Sequence, residues 1–292
     1  MVAPPCTSAS KRDAVSQVRA GLARHRSRVD TLLLGARGGL GTLIARELVA
    51  KGHAVRTVER TAARDPDALT AAAKGAGAIV DCAGASVAMA LGKGWRGYRA
   101  VDTPIGLAAV HAAKQLDIRL VYVGVAHPPE LARCAYVDAH ERVANAMRDI
   151  DGVVVRATGF FSAYAALLGM ARRGFLMDIG SGQTRTNPID EHCLAEIVAE
   201  QITGEGPREL SVGGPEILTR AEIFERVAAL ADRKVRMWRL PTWLAGINAA
   251  MARAVHPRIG QFMTFAVLLA KHDAIAPSVG TRRFGDYLQR AA

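Results

Sequence analysis

From residue 31 the chain alternates between two hydrophobic periods. "TLLLGA" (31–36) is an apolar run of strand length, while "LIARELVAKG" (43–52) sets its apolar residues three and four apart, as a helix face does. The alternation recurs through "HAVRTVE" (53–59), a helical stretch after Asp65-Pro66, "AGAIVDCAG" (76–84) and "VDTPIGLAAVHAAKQLD" (101–117), with Pro104 expected in that helix's first turn. It continues through "IRLVYVGV" (118–125), "YVDAHERVANAMRDI" (136–150) and "DGVVVRATG" (151–159). Strands that alternate with helices in this way predict a parallel sheet with right-handed crossovers. The expected class is α/β, a Rossmann-type doubly wound parallel sheet with a smaller, mostly helical C-terminal lobe. We divide the chain into a basic extension at 1–30, a Rossmann core at 31–160 and a C-terminal lobe at 161–292 that returns elements to the core. No repeat of fixed period is present.

Gly35-x-x-Gly38-x-x-Gly41 lies where the first strand hands over to the first helix. A tight turn there needs positive φ, and a diphosphate needs close backbone approach, so side-chain-free positions serve both. A helix beginning near Gly39 would offer the amides of Gly39, Leu40 and Gly41 to an anion. The spacing predicts a bound dinucleotide. Which one is read at the end of the second strand, where a carboxylate pairs with a ribose diol and an arginine with a 2′-phosphate. Glu59-Arg60 offers both, and Glu59 could equally neutralise Arg60. Arg37, inside the glycine turn, supplies a second guanidinium, so NADP is favoured over NAD.

Composition narrows the picture. Half of the 292 residues are apolar but only 5% are aromatic, so small aliphatic side chains build the core. The net charge is +11, of which residues 1–30 carry six basic against two acidic residues. Such an arm can bind nucleic acid or an anionic membrane surface, or be a solvated extension or targeting segment; the plain extension is favoured, and no nucleic-acid partner is expected. The charge on the remaining residues is partly accounted for by an anionic cofactor. Cys6, Cys82, Cys134 and Cys193 are scattered, which suits a reducing compartment and supplies no metal site. With no secretory pattern and no apolar run of membrane-spanning length, a cytoplasmic location is expected. Oligomeric state has no signature.

The motifs "GxxGxxG…GHxVRxxxR", "VDCAG", "VDTPIGLAAVHAAKQLDIRLVYVGV", "YVDAHERV", "VVVRATGFFS" and "NPIDEHCLAE" together resemble the atypical short-chain dehydrogenase/reductases. The similarity is to the NmrA-like, NAD(P)H-binding branch that includes divinyl chlorophyllide reductase-type proteins, and it spans about residues 31–290. It implies an NADPH-dependent oxidoreductase acting by hydride transfer on a hydrophobic, cyclic carbonyl or activated C=C substrate. A non-catalytic NAD(P)-binding redox sensor or assembly protein is the alternative. By position, the resemblance puts the phosphate turn on Gly35, Gly38 and Gly41 and the 2′-phosphate reader on Arg60. It puts the adenosine-side loop on Asp81, Cys82, Ala83 and Gly84, and the segment bordering the nicotinamide on Ala157, Thr158, Gly159 and Phe160. In the wider superfamily a Ser follows the fourth strand and a Tyr and Lys lie four apart on the next helix. Here Gly124 occupies the Ser position, and Tyr136-x-x-x-His140 stands for Tyr-x-x-x-Lys.

Residues four apart share a helix face, so Tyr136 and His140 form the candidate catalytic pair. A neutral imidazole lowers a tyrosine's pKa less than an ammonium does, but can relay a proton itself. Elsewhere, His127 is expected in a loop, Phe160, Phe161 and Tyr164 as packing for the lobe, and Asn187-Pro188 with His192 as the junction of sheet and lobe. The stretch 236–270, rich in Trp, Met, Phe and Leu, is expected as core helices, with a substrate cover or a partner or membrane patch as alternatives.

Overall fold

The computed structural model describes residues 28–85, 94–204 and 206–292, so most of the basic extension lies outside the described residues. β1 (Asp30–Leu34) runs into the glycine turn and α1 (Gly39–Ala50), then β2 (Ala54–Thr57). α2 (Pro66–Ala73) starts where predicted: Asp65 accepts the backbone N–H groups of Asp67 and Ala68, and Pro66 takes the first position, where a missing N–H costs nothing. β3 (Ala78–Asp81), α3 (Tyr98–Leu116), β4 (Arg119–Val125), α4 (Ala135–Ala146) and β5 (Gly152–Ala157) complete the first half. α3 begins a turn earlier than its apolar pattern suggested, so Pro104 lies inside the helix rather than in its first turn.

The second half opens with two short helices, α5 (Phe161–Ala165) and α6 (Leu168–Ala171), followed by β6 (Phe175–Ile179), β7 (Arg185–Thr186) and α7 (Glu191–Glu200). It continues through β8 (Glu209–Val212), β9 (Leu218–Thr219), α8 (Arg220–Ala228), β10 (Arg236–Leu240), α9 (Thr242–Val255), α10 (Pro257–Leu269) and α11 (Phe284–Ala291).

Six strands form the central sheet in the order β2-β1-β3-β4-β5-β8, and every pairing is parallel. The fold is the predicted α/β sheet. Alternate residues of each strand serve opposite layers, as the two-residue period requires. Leu32, Leu34, Ile79, Leu120, Tyr122 and Val154 face the layer of α2, α3 and α4. Leu33, Val80, Val121, Val123 and Val155 face α1 and α7, meeting Ile44, Leu48, Leu194 and Val198. α7 and β8 are the elements that the second half returns to the core.

Asn187 pins this return. Its buried amide donates to the carbonyls of Gly214 and Ala276 and accepts the N–H of Ala276, while its own carbonyl accepts the Thr158 hydroxyl at 2.7 Å. The predicted junction role of Asn187 is thus seen in its bonds. The lobe has a separate core of Phe161, Leu168, Leu176, Phe224 and Phe284. The 236–270 stretch does form helices, but they are mostly not core ones: of its residues Ala245, Ala249, Gly260, Val267 and Ala270 are buried.

Candidate functional site

β1 sends the chain toward β2 on one side while β3 lies on its other side, so the sheet has a switch point between β1 and β3. In sheets of this kind the ligand crevice opens at the carboxyl ends of such strands. A cleft of about 1250 Å³ lies there, with Gly35–Gly38 and Cys82–Ala85 at its floor. Each glycine of the motif has a steric reason. Gly35 has φ +85°, and a Cβ on it would stand 2.9 Å from the backbone of Ala83 across the switch point. A Cβ on Gly41 would overlap the carbonyl of Gly35, and one on Gly38 would stand 3.3 Å from that oxygen. α1 starts at Gly39 with Gly38 as its cap residue, and no side chain caps the first-turn amides. Those amides and the helix dipole are left for an anion. Gly39 borders open space and the Leu40 side chain turns into the core between α1 and the sheet; Gly39, Leu40 and Gly41 are not among the residues lining the cleft, which takes Gly35–Gly38 from this turn.

Five arginines line the cleft: Arg37, Arg60 and Arg64 follow β1 and β2, while Arg96 and Arg258 belong to the opposite wall. Arg37 donates to Glu59 at 3.3 Å, with both side chains about four-fifths exposed. An exposed pair of this kind contributes little and yields readily to a phosphate. Glu59 therefore engages Arg37, not Arg60. Arg64 was not singled out in the sequence; its Nε is buried and has no acceptor, a donor left over at the cleft wall. The glycine cradle and this surplus of donors fit a dinucleotide with a further phosphate.

Behind the floor lie two carboxyl groups. Asp81, at the end of β3, accepts the N–H of Ala83, and Asp102 of α3 accepts the N–H of Ala85 at 2.6 Å. The second oxygen of each is buried without a partner. Burial pushes Asp81 up to about 7, the Ala83 N–H opposes this, and the Asp102 charge adds to it. Burial likewise raises Asp102 to about 7 against the Ala85 N–H and the charges of Arg258 and Arg64. The pair shapes the loop Asp81–Gly84 from behind rather than lining the cleft. Cys82 packs its thiol on the Leu34 carbonyl at 3.2 Å, and burial raises its pKa, so it is no nucleophile.

Tyr136 and His140 do meet on α4, with ring centroids 5.1 Å apart. They do not line the cleft. Tyr136 stacks edge-on between Tyr98 and Phe265, and α10 closes over it with Leu268 and Leu269. Burial raises the Tyr136 phenol above its usual value, with the charge of Asp102 adding. Burial also depresses His140 to about 4, helped by Arg156 and His127 and opposed by Glu141. A neutral His140 accepts the Tyr122 hydroxyl at Nδ1, 2.7 Å away, so its bond goes to Tyr122. His127 follows β4 as expected. Its two ring nitrogens face the Pro128 carbonyl and the Glu141 carboxylate, both acceptors, and Glu141 raises its pKa. Glu141 also pairs with Arg156 of β5, which reaches Glu209 of β8. Glu141 thus ties α4 to the sheet.

The remaining predicted residues sit at the carboxyl end of β5. Thr158 is buried in the junction bond to Asn187, Gly159 is exposed beside the Tyr164 ring, and Phe160 is half-buried and bridges Ile189. The far wall of the cleft is built by residues that the sequence did not single out: Trp95 and Tyr98 before and on α3 meet His256, Arg258, Ile259 and Phe262 of the α9–α10 corner, inside the stretch for which a substrate cover was the alternative to core packing. These residues come from a distant part of the chain and share no spacing. Among the described residues no cluster of His, Cys, Asp and Glu could hold a metal ion.

No family model matches the chain, and no curated protein is significantly similar to it in sequence. Solved structures do match. A nucleoside-diphosphate-sugar epimerase from Staphylococcus aureus has a TM-score of 0.69 at 16% identity, over 89% of this chain and 99% of its own. The triphenylmethane reductase of Citrobacter sp., solved with NADP(H), has a TM-score of 0.68 at 16% identity, over 90% of this chain and 100% of its own. An NADPH-dependent quinone oxidoreductase from Escherichia coli, solved with NADPH, has a TM-score of 0.65 at 16% identity, over 89% and 99%. At that identity the likeness establishes a shared fold: this chain folds as these epimerases and reductases do.

Proposed function

We propose that the protein is an NADPH-dependent oxidoreductase that reduces a hydrophobic, cyclic carbonyl or activated C=C substrate by hydride transfer. The cleft at the β1/β3 switch point carries this reading, because its glycine floor and three arginines suit a dinucleotide with a 2′-phosphate. Bound NADPH would supply the hydride. Gly35, Gly38 and the first-turn amides of Gly39–Gly41 would hold the diphosphate, and Arg37, Arg60 and Arg64 the 2′-phosphate. Cys82–Gly84 would border the adenosine, with Asp81 holding that loop from behind, and Thr158–Phe160 the nicotinamide end. Trp95, Ile259 and Phe262 give the far wall an apolar surface suited to a ring. Two of the structural neighbours, the triphenylmethane reductase and the quinone oxidoreductase, are consistent with such acceptors. The narrower likeness to divinyl chlorophyllide reductase-type proteins rests on the sequence motifs alone. The free thiols of Cys82, Cys134 and Cys193 suit the proposed cytoplasmic setting.

In this reading the Tyr136 phenol, held protonated by burial, would be a proton donor only for a substrate that reaches past Tyr98 and Phe265, which cover it. A hydride acceptor that takes its proton from water would need no such donor, which makes quinones and conjugated rings the first substrates to test.

A second reading, a dinucleotide-binding sensor without turnover, is favoured by one observation: Tyr136 is covered by Phe265 and His140 is bonded to Tyr122, away from the cleft. Monitoring NADPH oxidation across quinones, enones and ring ketones separates the two. Turnover of at least one class is expected, and Tyr136→Phe should slow only substrates that need a protein-borne proton. NADPH binding with no turnover in any class would favour the sensor. No binding of either pyridine nucleotide would sink both readings.

A further inference from the structure

The net charge of +11 has an uneven origin. Residues 1–30 carry +4 and residues 233–272 carry +7, which leaves the other 222 residues neutral. Between Arg233 and His272 there is no Asp or Glu at all. Arg233, Lys234, Arg236, Arg239 and Arg253 are exposed and form no ion pair among the described residues.

The same segment exposes large apolar side chains. Trp243, Ile247, Met251 and Val255 recur every four residues along α9, so they share one face, and they are 66%, 49%, 65% and 71% exposed. The buried residues Ala245 and Ala249 lie on the opposite face. α9 is an amphipathic helix with its apolar side turned to solvent. Just before it, β10 pairs in parallel with β6, placing Trp238 beside Met177 and Arg236 beside Phe175, all exposed. A continuous stretch of chain thus presents two tryptophans, four further large aliphatic or thioether groups (Met237, Ile247, Met251 and Val255) and only positive charge.

We propose that this β10–α9 surface docks on an anionic lipid bilayer, lying in its interface without crossing it. An apolar helix face with flanking arginines and interfacial tryptophans is the arrangement that partitions into the headgroup region. α9 has 14 residues, about 21 Å at 1.5 Å each, short of a hydrocarbon core of about 30 Å. No described helix is long and apolar enough to span a membrane. A second copy of the chain fits the surface less well. A two-fold contact sets the same patch against itself, so Arg236, Arg239 and Arg253 would oppose their own copies with no carboxylate between them. The corner after α9 also forms the far wall of the cleft through His256, Ile259 and Phe262, so docking would bring that wall near the bilayer. The docking inference stands whether or not the protein reduces anything.

The test is co-sedimentation of the full chain with vesicles of phosphatidylcholine alone or mixed with phosphatidylglycerol, at low and high salt, alongside sedimentation velocity of the protein by itself. We expect binding to the mixed vesicles with a blue shift of tryptophan emission, weakened by salt, and at least about tenfold weaker binding to neutral vesicles. The double variants Trp243→Ser/Met251→Ser and Arg236→Glu/Arg239→Glu should each lose about tenfold or more of that binding. All four positions are surface residues outside the cleft, so the variants should keep the parent's thermal midpoint and nucleotide affinity. Anionic-vesicle binding that both variants retain would assign it to the N-terminal basic residues and overturn the proposal. So would equal binding to neutral vesicles, no binding at all, or a concentration-dependent dimer abolished by Trp243→Ser/Met251→Ser.

Discussion

Gly41 and Gly39 stand two residues apart at the start of one helix, yet a methyl group added to each meets opposite conditions. At Gly41 it would run into the Gly35 carbonyl, and at Gly39 it would enter open space. Gly41→Ala should therefore destabilise the fold by about 1–3 kcal/mol, the usual cost of overpacking, and weaken nucleotide binding at least tenfold by displacing the turn. Gly39→Ala should leave stability unchanged or raise it by up to about 1 kcal/mol through helix propensity. Thermal unfolding with calorimetric titration of NADPH checks both. The buried carboxyls make a second prediction. Asp81 and Asp102 have folded-state pKa values raised to about 7, so the folded protein holds protons that the unfolded chain has released. Their contribution is fully present below the ordinary Asp range near pH 4 and is lost as pH rises toward 7. Asp102→Asn keeps an oxygen for the Ala85 N–H and removes one charge. Urea unfolding between pH 5 and 8 should show a shallower decline than the parent, with the variant the more stable at pH 8. An unchanged slope would mean that the pair does not titrate in this range.

Elements show what was legible in the sequence and what was not. Four of the five strands of the first half could be read as short apolar runs bounded by turn residues, which both layers of a parallel sheet demand, while the edge strand β2, AVRT, followed from its place after the first helix. The glycine floor was legible for the same reason: its function is carried by backbone geometry, and glycine at fixed spacing is the only residue that permits it. β8 was missed because "ELSV" is four residues long and only its two alternate positions Leu210 and Val212 are buried, too little periodicity to separate from a loop. The residues of the far wall could not be picked out within the 236–270 stretch for a different reason. His256, Ile259 and Phe262 reach the cleft only because α9 and α10 fold back as a hairpin, and local pattern does not record such a contact. Gly260 makes that hairpin close. A Cβ there would meet the backbone of Arg253 on α9, which cannot give way as a side chain would. Gly260→Ala should cost about 1–3 kcal/mol. It should also open the corner that carries His256 and Ile259, so nucleotide affinity falls along with the thermal midpoint. A variant with parental midpoint and affinity would show that the two helices have slack at this crossing.

At the scale of the whole molecule, the cleft draws its floor from the sheet and its far wall from the α9–α10 corner, more than 150 residues away in sequence. A ligand that fills it bridges the two halves, adding to the joins already made by α7, β8, the bonds of Asn187 and the packing of α10 on α3 and α4 through Tyr98, Gln261, Tyr136 and Phe265. Any molecule that binds the folded chain and not the unfolded one stabilises it, by about 2.7 kcal/mol at a hundredfold excess over its Kd. For a chain of 292 residues, with an unfolding entropy of about 0.6 kcal/mol/K, that corresponds to a rise of about 4–5 °C in the thermal midpoint. The charge distribution sets the ranking of ligands. Arg96 and Arg258 on the far wall attract any pyridine nucleotide alike, so discrimination between NADH and NADPH is expected from Arg37, Arg60 and Arg64, which follow β1 and β2. NADPH should therefore shift the midpoint further than NADH at equal concentration, and Arg60→Glu should shrink the NADPH shift while leaving that of NADH nearly unaltered. The expected signature is a single transition that moves as a whole, because both halves line the bound ligand. Equal shifts for the two nucleotides would remove the arginines from the role of 2′-phosphate readers. A shift confined to one of two transitions would show that the ligand rests on the sheet alone.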